Sequence, residues 1–193
     1  MNFQETRKTL ILHGLQVFTT QEFINLFKLD ASLAKVKLSR YKKSGYLTSP
    51  RKGVYYLTGE VENKYKIANK VYRPSYISLD SALSKYGIIP ETVYALTSIT
   101  TKATREFSDD QTIYRYYKIK KNAYTGYHII ENDVLMAEPE KAVVDYLYFV
   151  AQGKRELNDM LNLSKLDKQK ILKWALFFKD KRLDNLLKKY VNP

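Results

Sequence analysis

Apolar positions change period several times along the chain, and each change predicts an element. Thr19-Thr20-Gln21-Glu22 forms a capping box ahead of Phe23, Ile24, Leu26 and Phe27, so a helix starts there. Lys28-Leu29-Asp30 makes a short turn into a second helix, capped by Asp30 or Ser32, whose inner face is Ala34, Leu38 and Tyr41. At 100° per residue its opposite face carries Ser32, Lys35, Val36, Ser39, Arg40 and Lys43, and Gly45 ends it as a left-handed cap. Tyr46-Leu47-Thr48 and Val54-Tyr55-Tyr56-Leu57 then read as two strands, joined by a turn over 49–53 that holds Arg51 and Lys52 at its tip.

Apolar density falls over residues 59–74, and Arg73-Pro74 closes the stretch, so a connector is expected there. Beyond it Ser78 caps a helix with apolar residues at 79, 82, 83 and 86, stopped by Gly87. Val93 to Thr100 and Thr112 to Ile119 are rich in β-branched and aromatic residues and read as strands, separated by Asp109-Asp110-Gln111. His128-Ile129-Ile130 and Val134-Leu135-Met136 suggest a hairpin across Glu131-Asn132-Asp133. Pro139 sits in the first turn of a helix facing inward through Ala142, Val143, Tyr146, Leu147 and Val150. Three further helices are expected at Arg155 to Leu161, Asp167 to Phe178 and Asp180 to Val191. The resulting class is α+β: a first domain over 1–58, a connector over 59–74 and a second domain over 75–193 with a short sheet, covering helices and a helical tail.

Length and composition narrow the chemistry. A chain of 193 residues, 45% hydrophobic, buries roughly 70% of its unfolded surface without a staple. Absence of cysteine excludes thiolate catalysis, Cys-ligated zinc, iron–sulfur clusters and disulfides. With only His13 and His128, a His-rich metal site is not expected either, and no cofactor is called for. The seven glycines are isolated, so no phosphate-binding glycine loop is present, and no Ser-x-x-Lys motif occurs. Asp109-Asp110 reads as a solvated turn and Glu138 and Glu140 as acids favouring a helix start, so no catalytic residue stands out. No apolar run approaches the roughly 18 residues of a membrane span, and residues 10–15 lack a small-residue cleavage site. A cytoplasmic location is the expectation, which makes the sequon Asn162-Leu163-Ser164 a chance match.

Charge supplies the positive clue: 33 Lys and Arg stand against 20 Asp and Glu, a formal +13 with a pI near 9.6. It is polarised, net +7 over residues 1–58, zero over 59–150 and +6 over 151–193. Helix, turn, helix and basic-tipped hairpin is the order of a winged helix–turn–helix, in which one helix enters the major groove while the wing reaches phosphates. On that reading Ser32, Lys35, Val36, Ser39, Arg40 and Lys43 face the groove, and Arg51 and Lys52 neutralise backbone charge. The plain alternative is a solvated basic face. In the tail, Lys165, Lys168, Lys170, Lys173, Lys179, Lys181 and Arg182 lie among Trp174, Phe177 and Phe178, which fits either a second nucleic-acid surface or a solvated helix exterior.

Three segments carry a family resemblance: Tyr76 to Glu91 (YISLDSALSKYGIIPE), Thr97 to Phe107 (TSITTKATREF) and Ala137 to Leu147 (AEPEKAVVDYL). In this order they resemble the AbiEi-type antitoxins of bacterial abortive-infection systems. The Thr19-Thr20-Gln21-Glu22 box and the stretch from Gly45 to Leu57 are similar to the winged domain of that family, so the resemblance covers about residues 15 to 150. It implies repression of the protein's own toxin–antitoxin operon through inverted repeats, with two copies per operator. It also implies neutralisation of a nucleotidyltransferase-like toxin without a stable direct complex, and it brings no catalytic residues. A stand-alone winged-helix repressor and, from a different class, an RNA-binding or nucleotide-modifying enzyme are the rival expectations.

Overall fold

The computed structural model describes residues 2–91 and 93–191, with the backbone alone for Asn132. The fold is mixed α+β and builds two sheets. The first unit runs α1 (Phe3–Leu12), β1 (Val17–Thr19), α2 (Thr20–Phe27), α3 (Ala31–Lys43), β2 (Leu47–Arg51) and β3 (Val54–Leu57). Its strands pair antiparallel in the order β1-β3-β2. The capping box at Thr19 and Glu22 forms as read, each residue satisfying the other's backbone N–H. A second such box at Asn2 and Glu5 opens α1. Neither α1 nor β1 was legible, because α1 buries only Thr6 and Leu10 and so has a thin apolar stripe. The three helices close on Leu10, Phe18, Phe23, Leu38, Leu47 and Leu57.

The expected connector is corrected by the structure. Residues 64–71 form a helix, α4 (Lys64–Val71), that buries Ile67, Ala68, Asn69 and Val71. Its apolar face is too short to stand out in the sequence, yet it lies between the two sheets and touches both. The Asn69 amide accepts from Leu135 N (2.6 Å) and donates to Leu135 O (3.2 Å), so a side chain completes the backbone pairing of a strand 66 positions away. The Tyr116 hydroxyl donates to Ala68 O at 2.6 Å.

The second unit contains β4 (Ser75–Ile77), α5 (Leu79–Lys85), β5 (Ala95–Thr100), β6 (Arg105–Ser108), β7 (Ile113–Lys118), β8 (Tyr127–Ile130), β9 (Val134–Ala137) and α6 (Pro139–Ala151), followed by α7 (Lys168–Ala175) and α8 (Lys181–Tyr190). Six strands order as β6-β7-β5-β4-β9-β8, parallel at β5/β7 and β4/β9 and antiparallel elsewhere. The sequence reading missed β6, a short, mostly exposed edge strand that runs back beside β7. The hairpin over 127–137 and the helix from Pro139 form as read. Residues 155–161 are not helical, contrary to expectation. The Tyr146 hydroxyl donates to Glu156 O (2.7 Å) and accepts from Asn158 N (2.8 Å), taking backbone groups that a helix would have used. Asp167 and Asp180 cap α7 and α8.

The boundary near residue 58 separates elements without separating cores, since Val17, Val54 and Tyr56 pack into the large core of the second unit. No helix among the described residues is long and apolar enough to cross a membrane.

Candidate nucleic-acid interface

α3 is anchored by Asp30, whose carboxylate accepts from Ser32 N and Leu33 N at 2.9 Å each. Ala34, Leu38 and Tyr41 point inward, and the Tyr41 hydroxyl meets Thr6 Oγ1 at 3.2 Å beneath α1. Lys35, Val36, Ser39, Arg40 and Lys43 are all exposed, with Val36 62% accessible. None of Lys35, Arg40 or Lys43 forms an ion pair among the described residues. Ser32 is exposed too, but its hydroxyl donates to Asp30, so it serves the cap rather than standing ready for a groove edge. From Ala31 to Gly59 the chain carries seven basic residues and no acidic one, which leaves the positive field of this face uncancelled locally. Arg40, Lys42 and Lys43 in the last turn also complement the helix dipole, a structural role they fill with or without a ligand.

The β2–β3 hairpin turns at Lys52-Gly53, where Gly53 has φ +85°. Thr20 N donates to Gly53 O at 2.9 Å and ties this tip to the start of α2. Arg51 also has partners within the chain. Its guanidinium donates to Val71 O at 2.9 Å and lies 5.4 Å from the ring centres of both Tyr72 and Phe107. Arg51 therefore docks the β2–β3 hairpin onto the neighbouring segment, and both Arg51 and Lys52 are exposed at the tip.

Other links hold the two units together. Lys70 pairs with Glu22, and Arg7 with Glu60. Burial works against the Glu22 charge, yet Lys70 and the Thr19 amide hold its carboxyl below the usual carboxylate range. Asp109, read from sequence as a solvated turn residue, accepts from the hydroxyls of Tyr56 (3.0 Å) and Tyr114 (2.9 Å) and from the amides of Gln111 and Thr112. Burial and the facing carboxylate push the Tyr56 hydroxyl up to about 12 and Tyr114 higher still. Asp109 is a tether between the units.

In the tail, Lys165, Lys168, Lys170, Lys173, Lys179, Lys181 and Arg182 are all exposed. Arg182 is already engaged, donating to Gln152 Oε1 at 2.6 Å and facing Asp180 at 3.8 Å. Of the aromatics among them Phe178 is fully buried, Trp174 is half-buried and Phe177 is 39% accessible, so the interleaving is mostly core packing.

One cluster escaped sequence reading entirely. Lys141 and Asp145, one turn apart on α6, are both 0% accessible and form an ion pair. The Tyr76 hydroxyl donates to Asp145 Oδ2 at 3.0 Å and Ser78 Oγ does so at 2.8 Å, so Ser78 points away from the helix it was expected to cap. Burial pushes the Asp145 carboxyl up and the Lys141 amine down, each toward its neutral form. Tyr124 and Tyr127 pack against Tyr76, Phe178 packs against Lys141, and the cluster reads as a packing device. Every residue from Glu140 to Leu147 is buried, so the helix takes its charges into the core with its apolar residues.

No family model matches the chain, and no curated protein matches it in sequence.

Proposed function

We propose that this chain is a DNA-binding antitoxin of the AbiEi type whose first unit is a winged helix–turn–helix. It represses its own toxin–antitoxin operon by occupying inverted repeats in the promoter, two copies per operator. It counteracts a nucleotidyltransferase-like toxin without a stable direct complex. The carrying observation is the outer face of α3: thirteen residues capped by Asp30, with Lys35, Val36, Ser39, Arg40 and Lys43 exposed, three of them basic and none of the basic ones paired. In this reading α3 lies in the major groove, Ser39 and Arg40 address base edges, Val36 meets a thymine methyl, and Lys35, Lys43 and Lys52 take phosphates. Promoter occupancy then excludes polymerase, and the protein works in the cytoplasm.

A gel-shift titration on the upstream DNA against scrambled DNA of equal length, at about physiological salt, tests the reading. A discrete, competitor-resistant shift that disappears in the Arg40→Glu, Lys43→Glu double variant supports it. Equal affinity for both DNAs sinks it. Rescue of cells expressing the toxin separates the antitoxin from a stand-alone repressor.

A further inference from the structure

A cavity of about 580 Å³ opens between the amino end of α4, the carboxyl end of α5, the sheet and the β8–β9 turn. Its size lies within the range of small-molecule sites. Leu96 and Ile130 give the cavity apolar lining with Met136 buried beneath, and Tyr65 and Tyr86 line it as well. Neither hydroxyl is aimed at the opening for want of a partner. Tyr86 donates to Ala137 O at 2.8 Å and Tyr65 to Ser81 O at 3.5 Å, which holds both rings in place.

Four charged residues line the same cavity: Glu62 and Lys64 on the α4 side, Lys85 at the end of α5, and Glu131 on the turn. All four are exposed, and among the described residues none of them forms an ion pair. Unpaired charges of one sign would suit a simple ion. Both signs around an apolar, aromatic floor suit a ligand that is flat, carries N–H donors at one edge and an anion at the other.

We propose that this cleft binds a free nucleotide. The base rests against Leu96 and Ile130 beside the tyrosine rings, its N–H edge faces Glu131 or Glu62, and its phosphates meet Lys85 and Lys64. An aromatic amino acid carries both charges on one carbon and leaves the spread of the four residues unexplained. The proposal uses no residue of α3 and stands or falls apart from DNA binding.

Calorimetric titration at about physiological salt tests it with ATP, GTP, CTP and UTP, with adenosine and guanosine, and with inorganic pyrophosphate. At least one nucleotide is expected to bind about tenfold or more tightly than its nucleoside and than pyrophosphate. Lys85→Ala and Glu131→Gln, both at exposed positions, are each expected to weaken it about tenfold, the worth of a hydrogen bond to a charged group. The Arg40→Glu, Lys43→Glu variant is expected to bind nucleotide unchanged, which keeps this result separate from the DNA reading. Absence of heat with every nucleotide overturns the proposal. So does pyrophosphate binding as tightly as the nucleotides, or affinity that survives both cleft variants, or affinity lost with the α3 variant.

Discussion

The two units handle charge in opposite ways. In the first, the core is apolar apart from the Thr6–Tyr41 contact, and the basic residues stand outside, unpaired, on α3. In the second, net charge is zero over residues 59–150, yet a lysine and a carboxylate lie fully inside on α6. Charge left in water costs nothing to keep and remains available to a polyanion. Charge taken out of water is tolerable only while every partner is present, so the Lys141–Asp145–Tyr76–Ser78 network specifies one arrangement of β4 against α6 without adding much stability.

The contrast breaks most visibly at the buried pair. Lys141→Met alone leaves an uncompensated carboxylate and is expected to cost about 3–5 kcal/mol in urea unfolding, while Lys141→Met with Asp145→Leu recovers most of that loss. A double-variant loss equal to the sum of the Lys141→Met and Asp145→Leu losses would show that the pair is uncoupled. On the outer face, Arg40→Glu with Lys43→Glu is expected to weaken operator binding about a hundredfold, while loss of two dipole-complementing charges from the last turn of α3 lowers unfolding free energy by about 1–2 kcal/mol.

The wing offers a sharper comparison between adjacent residues. Arg51→Ala removes a hydrogen bond to Val71 O and two ring contacts and is expected to destabilise by about 1–2 kcal/mol. Lys52→Ala is expected to leave stability alone and to reduce the slope of log affinity against log salt by about 0.9. If Arg51→Ala instead lowers the salt slope without changing stability, its docking role is wrong.

The smallest effect concerns alkaline pH. Because the folded state raises the Tyr56 hydroxyl to about 12 from an ordinary 10, the unfolded chain releases that proton first. Folding stability is therefore full below pH 10 and falls as pH climbs toward 12. Asp109→Asn lowers the folded value by removing the facing carboxylate, and the decline in unfolding midpoint over that window is expected to become shallower. An unchanged decline would detach Asp109 from the tyrosines.

Much of the first unit was legible because its signals are local. A capping box, an Asp at a helix start, a 3–4 spacing of Ala34, Leu38 and Tyr41, and glycines at Gly45 and Gly53 act over a few residues, and each is found where the pattern puts it. The exposed face of α3 follows from the same periodicity. Local patterns could not say that Ser32 would turn back to Asp30, since two caps compete for one helix start.

By itself, then, the sequence determined which segments are helix or strand wherever caps and period agree, the class α+β, and the polarity of its charge. Tertiary structure alone decided that α4 fills the expected connector, that Arg51 docks the β2–β3 hairpin, that Asp109 joins two units and that Lys141 is buried. The reason is range. Backbone propensities are set by neighbours three or four residues away, whereas Tyr56 and Asp109 are 53 positions apart and Tyr76 and Asp145 are 69 apart. Whether such a polar side chain faces water or a partner depends on which surfaces the packed sheets bring together.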